Sequence, residues 1–133
     1  MGFSTQHPWL TADKKGVGLD HHKLEVYHRS LILLKDCDHI VQQLPQGRSH
    51  IRDQIERATC SIVANVAEGA GEFRHKEKAR FYRMARRSAI EVAAWLEITA
   101  QRKEASQSDI RHALQRLENI VSMLVKLIRS CDR

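Results

Sequence analysis

Residues 109–130 read DIRHALQRLENIVSMLVKLIRS. Apolar side chains recur at Ile110, Leu114, Leu117, Val121, Leu124 and Ile128, in steps of four, three, four, three and four. A strand would alternate every second residue, so this spacing is one stripe of an α-helix, close to a heptad seam. A single amphipathic helix is marginal in water unless its apolar face is covered, so the rest of the chain must supply partners.

The helix breakers show where those partners lie. The chain has two prolines and six glycines. Pro8, Gly2, Gly16 and Gly18 fall in the first 20 residues, Pro45 stands near Gly47, and Gly69 near Gly71. From Glu72 to Arg133 there is neither Gly nor Pro. This distribution leaves a polar, unperiodic arm over residues 1–20, expected to be flexible, and a bundle over 21–133. A first helix is predicted over about 22–44, with Leu24, Tyr27, Leu31, Leu34 and Val41 on its stripe, Asp20 as a cap and Pro45 and Gly47 as its stop. A second, about 48–68, carries Ile51, Ile55, Ala58, Ile62 and Val66, with Gly69 and Gly71 ending it. A third, about 75–102, carries Phe81, Ala85, Ser88, Val92, Trp95 and Thr99. The fourth, about 109–130, is preceded by Ser106, three residues before Asp109, in the manner of a capping box. Each rod is about 32–42 Å long at 1.5 Å per residue. Short connections favour antiparallel neighbours. The expected fold is all-α, an antiparallel up-down-up-down four-helix bundle. Fusing the last two helices would give one rod too long to match the others.

Composition narrows the class. No run approaches the roughly 18–20 apolar residues of a membrane span. The N-terminus lacks a basic start followed by an apolar segment, and Gln6 stands where a myristoylation motif has Ser or Thr. The cysteines, Cys37, Cys60 and Cys131, form no CxxC pair and fall on or beside apolar faces, as small core residues of a reducing compartment do. A cytoplasmic protein is expected.

Charge is concentrated. Formal net charge is +6, and Glu72 to Arg87 alone contributes +5, from seven basic and two acidic residues. Lys76, Arg80, Arg83 and Arg87 step by four, three and four along one face of the third helix, preceded by Arg74. Cations at a helix N-terminus oppose its dipole by about 0.3–1 kcal/mol each, and no residue from Glu72 to Lys76 is a good cap. A start with free amides and a basic cluster suits a phosphate. Three readings stand side by side: a surface for a phosphate backbone, a docking face for an acidic protein, or a solvated face whose Arg and Lys stems cover apolar surface. With Phe81 and Tyr82 needed at or near the core, no exposed aromatic is expected for base stacking, and sequence-specific readout is not expected.

A second set of polar residues lies inside the apolar pattern: Arg57, Ser61, Asn65 and Glu68 on the second helix, Ser88 and Glu91 on the third. A buried carboxylate needs a partner, and Arg57 and Arg87 are the candidates. These six are expected to form a structural or interface network. Catalysis is not indicated. There is no Ser/His/Asp arrangement, P-loop or Gly-rich dinucleotide turn. Glu25–His28 and Glu72–His75 read Glu-x-x-His but are not matched by the facing carboxylates of a di-metal bundle. No metal or cofactor is expected.

Leu24-Glu25-Val26-Tyr27, then Arg57-Ala58, the block Ser61-Ile62-Val63-Ala64-Asn65-Val66-Ala67-Glu68-Gly69, and Phe73-Arg74, Glu77, Phe81, Ala85, Ser88 and Glu91 together resemble the bacterial four-helix-bundle family of 23S rRNA intervening-sequence proteins. That family is similar to the accessory variability proteins of diversity-generating retroelements. The resemblance runs over about residues 22–130. It implies a homopentamer without catalysis, and its retroelement branch implies nucleic-acid and reverse-transcriptase binding through a basic surface. In one place the chain departs: Arg87 stands where the family often has Gly before the helix-three serine. The expectation is a non-enzymatic homo-oligomer, a pentamer, with nucleic-acid affinity through Arg74, Lys76, Arg80, Arg83 and Arg87. The alternative is an adaptor that docks an acidic protein.

Overall fold

The computed structural model describes residues 19–132. Within them the order is a 3-10 turn, Asp20–Lys23, then α1 (Glu25–Val41), α2 (Ser49–Gly71), α3 (His75–Gln101) and α4 (Gln107–Cys131). Apart from Leu19 and Asp20, the arm expected over residues 1–20 lies outside the described residues.

Local chemistry accounts for the boundaries. The first helix begins three residues later than its periodicity suggests, because Leu24 is extended (ψ 125°) between the 3-10 turn and α1, and Asp20 makes no capping bond to it. It also ends earlier, at Val41. Pro45 disfavours helical backbone at the residue before it, and Leu44 enters the core from the turn. Gly47 takes φ +94°, a left-handed value that glycine adopts without a Cβ penalty. The carbonyls left open at this helix end are taken by the next helix: Arg52 Nη2 donates to Leu44 O at 2.7 Å and Nε to Val41 O at 3.3 Å. At the far end of the chain, Ser106 caps α4 as expected, its Oγ accepting from the Asp109 amide at 3.2 Å. The box is only half closed. The Asp109 carboxylate accepts from Gln43 Nε2 at 2.9 Å, and the Ser106 amide donates to Gln43 Oε1 at 2.7 Å.

Those contacts also set helix direction. The end of α1 (Gln43) meets the start of α4 (Asp109), and farther along Asp36 of α1 accepts from Arg116 Nε of α4 at 2.7 Å. Likewise Arg48, at the start of α2, donates twice to Glu104 just past α3, both at 2.9 Å. Each helix therefore runs against its neighbours, and α1 closes the ring on α4. The fold is an all-α four-helix bundle. Its aliphatic core contains Leu33, Ile40, Ile55, Ile62, Val66, Val92, Leu96, Ile110, Leu117, Ile120 and Leu124. Among the described residues no helix is long and apolar enough to cross a membrane.

Two of the predicted faces are rotated. On α3 the interior line is Ala79, Tyr82, Ala85, Ala89, Val92, Leu96 and Thr99; Phe81, Ser88 and Trp95 flank it, half-buried. On α1 Val26, Leu33, Cys37 and Ile40, all off the predicted stripe, join Tyr27 in the core, and Leu31 and Val41 pack beside it. Where apolar residues cover more than half of a helix, period alone does not choose among them. Small residues and close helix approach decide.

Gly69 and Gly71, expected to stop the second helix, both lie within α2. A Cβ built on Gly69 would stand 2.6 Å from Tyr82 Cε1 and 2.8 Å from Cδ1, whereas one on Gly71 meets nothing within 4 Å. Tyr82 is only 3% exposed, so its ring has nowhere to swing. Gly69 is thus a contact glycine, and the stop comes from Glu72, which is extended at ψ 145°. The cysteines also divide. Cys37 is buried, with burial first and the Asp36 and Asp38 carboxylates second pushing its thiol up to about 12. Cys60, expected near the core, is exposed.

Two outcomes follow. Gly69→Ala should lose about 1–2 kcal/mol, overpacking of roughly 1–3 outweighing the up to about 1 kcal/mol that alanine gains in a helix, while Gly71→Ala should be neutral or stabilising; urea denaturation compares them, and equal effects would contradict the contact. With a thiol reagent at neutral pH, Cys60 should label in the native protein and Cys37 only on unfolding, as mass spectrometry of labelled peptides can read.

Candidate nucleic-acid interface

The polypeptide leaves α2 at Glu72 and enters α3 at His75, with Arg74 in the N-cap position at ψ 130° and no side chain bonded to the first-turn amides. Arg74, Lys76, Arg80, Arg83 and Arg87 are all exposed. Their surroundings differ. Arg80 Nη2 donates to Glu77 Oε1 at 3.1 Å, and its guanidinium lies 4.5 Å over the Phe81 ring. Arg83 leans toward the end of α4, 3.7 Å from Asp132. Both pairs are surface pairs of the kind that contribute between zero and about 1 kcal/mol. Arg74, Lys76 and Arg87 have no carboxylate partner among the described residues, and neither has Arg86, which the stripe omitted.

Lys78, counted with the basic segment, has another task. Its Nζ donates to the carbonyls of Gly69 at 3.1 Å and Ala70 at 2.9 Å, closing the C-terminal end of α2 where a cation opposes the helix dipole favourably. Arg52 does the same for α1, so in two successive junctions a cation one to two turns into the next helix holds the end of the one before.

The polar network forms between α2 and α3, with one exception. Ser61 Oγ and Ser88 Oγ are 2.8 Å apart, and Asn65 Nδ2 donates to Ser61 O at 2.9 Å and Oγ at 3.1 Å. Of the two candidate partners for Glu91, Arg57 makes the ion pair. Trp95 Nε1 donates to the same carboxylate at 3.2 Å. Burial pushes the Glu91 carboxyl up, but the hydrogen bonds from Arg57 and Trp95 and the Arg57 charge hold it below the usual carboxylate range. Arg87 does not pair with Glu91. It lines a hollow of about 350 Å³ with Ser61, Asn65, Met84, Ser88 and Glu91. The exception is Glu68, exposed and facing a separate hollow with His21, Ala64 and Glu72. The basic stripe thus ends at the mouth of the polar seam, where its last member, Arg87, adjoins Ser88.

Of the two Glu-x-x-His readings, the first is engaged elsewhere: Glu25 accepts from Arg29 Nε at 2.7 Å, and His28 Nε2 lies 2.7 Å from His22 O. No three His, Cys, Asp or Glu side chains among the described residues cluster in a way that could hold a metal ion.

Phe73 was not anticipated as a surface feature. It is 95% exposed, directly before Arg74. A signal was present in the sequence, because Phe73 precedes every apolar position of the third helix and follows the two glycines, so no helical stripe could claim it.

This arrangement presents exposed cations over about 16 Å of helix axis, with few acidic neighbours. It can hold several phosphates of one strand, whose charges repeat about every 3.4 Å along a duplex axis.

Among curated proteins, none matches this chain. A model of the 23S rRNA-intervening sequence protein family matches residues 22–126, a span that takes in α1, α2 and α3 entire, most of α4, every residue of the basic stripe and the whole polar network. On that match the chain belongs to the 23S rRNA-intervening sequence protein family.

Proposed function

We propose that this protein is a non-enzymatic homo-oligomer that binds nucleic acid, RNA or DNA, by its phosphate backbone through Arg74, Lys76, Arg80, Arg83 and Arg87. The observation that carries this reading is the exposure of all five cations along α3 from its uncapped start, with Arg74, Lys76 and Arg87 lacking any carboxylate partner among the described residues. The family's association with rRNA intervening sequences points the same way. Weak sequence selectivity follows, since arginines and lysines on phosphates position a strand without reading it.

Association of copies is supported by an apolar groove of about 530 Å³ between α3 and α4, and the number five is the state the family resemblance implies. The groove is lined by Ile90, Ala93, Ala94, Leu114 and Val121 among others, and Ile90 is 51% exposed. A second copy would cover it and would multiply the basic field of each protomer's +6.

Binding should appear in fluorescence anisotropy as a salt-dependent affinity, with a log–log slope near 0.9 per phosphate contact on duplex DNA. Lys76→Ala and Arg87→Ala should each lower that slope by about 1. No binding at about 50 mM salt, where electrostatic association is strong, would overturn the reading; an acidic protein retained after nuclease treatment would replace it with the adaptor role. For the assembly, light scattering should give five times the 15.3 kDa chain mass, and a monomer at micromolar concentration would refute it.

A further inference from the structure

A phenylalanine side chain moved from water into a core stabilises a fold by about 1.5–3 kcal/mol. Phe73, 95% exposed, contributes none of this to its own chain. Its ring stands in the three-residue link between α2 and α3, outside both helices, immediately before Arg74 and three residues before Lys76. Neither cation is tied to a carboxylate among the described residues. A second planar surface belongs to the same helix start. The Arg80 guanidinium lies 4.5 Å above the half-buried Phe81 ring, so one face rests on the phenyl and Arg80 as a whole remains exposed. Guanidinium planes and aromatic rings are the two protein surfaces on which unpaired bases stack.

The basic stripe alone does not discriminate between nucleic acids. It would hold the phosphates of a duplex or of a single strand. The flat faces do discriminate, because in a duplex both faces of every internal base are already covered by its neighbours. From the juxtaposition of an exposed ring, a stacked guanidinium and unpaired cations at one helix start, we infer that the site takes single-stranded nucleic acid, with an unpaired base stacked on Phe73 and its flanking phosphates on Arg74 and Lys76. This rests on the reading of the basic face as a nucleic-acid surface. It adds what that reading does not supply, a preference for strands with unstacked bases. Since every base has a flat face, the preference is for strand state and not for sequence.

The competing occupant of an exposed phenylalanine is a second copy of the chain, and the experiment separates the two. Wild type, Phe73→Ala and Phe73→Trp are compared by fluorescence anisotropy on a labelled single-stranded RNA of about 12 nucleotides, within the usual range of single-strand sites, and on the duplex of the same sequence. Light scattering is run on each variant. Wild type should favour the single strand. Phe73→Ala should weaken single-strand binding roughly 5- to 150-fold, the range for one stacked base, with duplex affinity, assembly mass and melting temperature unchanged. Phe73→Trp should restore it. Unchanged single-strand affinity in Phe73→Ala, or equal losses on both probes, overturns the stacking role while leaving the backbone-binding reading intact. A changed mass overturns it in favour of an interface between copies. Failure of the wild type to bind either probe removes the backbone reading and this inference together.

Discussion

At Gly69 the backbone of α2 comes so near the Tyr82 ring that the space for a single methyl group is gone, the built Cβ falling 2.6 Å from the ring edge. Much of the arrangement between α2 and α3 depends on this contact. It lies next to the junction of the two helices, so it fixes their spacing at one end, and the Arg48–Glu104 pair fixes it at the other. Between these ends the facing residues fall into step: Ser61 with Ser88, and Arg57 with Glu91. Alanines at positions 79, 85 and 89 on the interior line of α3 keep the approach close along the way. Without the close approach the two serine hydroxyls would not reach each other, and a half-buried polar seam without partners is destabilising.

That contact also turns the charge outward. With Tyr82 against Gly69 and Ala79, Ala85 and Ala89 facing in, the residues between them, Arg80, Arg83, Arg86 and Arg87, can only face solvent. The sequence total of seven basic residues between Glu72 and Arg87 therefore overstates the free surface. Lys78 holds the α2 carbonyls, and Arg80 and Arg83 have carboxylate neighbours. The cations with no carboxylate neighbour among the described residues are Arg74 and Lys76 at the helix start and Arg86 and Arg87 farther along, while Arg80 and Arg83 stay exposed in weak surface pairs.

The count of helices and their direction was legible because it depends on breakers and period, which are local. On the fourth helix Ser106 forms the predicted cap and Ile110, Leu117 and Leu124 of the predicted seam are buried, but Leu114, Val121 and Ile128 only pack beside the core while Ala113 and Ile120 take interior places. The polar network was legible too, since residues three and four apart on one helix must share a face, and five of its six members meet. Glu68 does not, because the seam ends a turn before it. What period could not supply was the choice among apolar faces on α1 and α3, which packing against a particular neighbour decides. Nor could it supply the meaning of Gly69. A glycine near a helix end reads as a stop by frequency. Only the opposing Tyr82 ring, thirteen positions away, shows that the missing Cβ is required by contact and not by backbone conformation. Phe73 escapes a periodic reading for a related reason, since it stands just before α3, where no helical stripe includes it.

Arg87 brings these strands together. Directly before the seam serine, a bulky cation would be expected to pry α2 from α3. It does not, because the position points out of the seam: Arg87 is exposed while Ser88, its neighbour, stays 2.8 Å from Ser61. Arg87 therefore shapes the surface and not the packing. It places a positive charge at the mouth of the polar hollow, beside Ser61, Asn65 and Glu91, where a glycine would leave it neutral. Glu91 is already committed to Arg57 and Trp95, so it cannot absorb that charge. An Arg87 guanidinium with no internal acceptor extends the basic stripe by one turn along α3, and the stripe then runs from the exposed Phe73 ring to the edge of the polar seam. The physical length of the candidate surface in this chain is thus set at one end by a ring that the core does not use and at the other by a cation that the seam does not need.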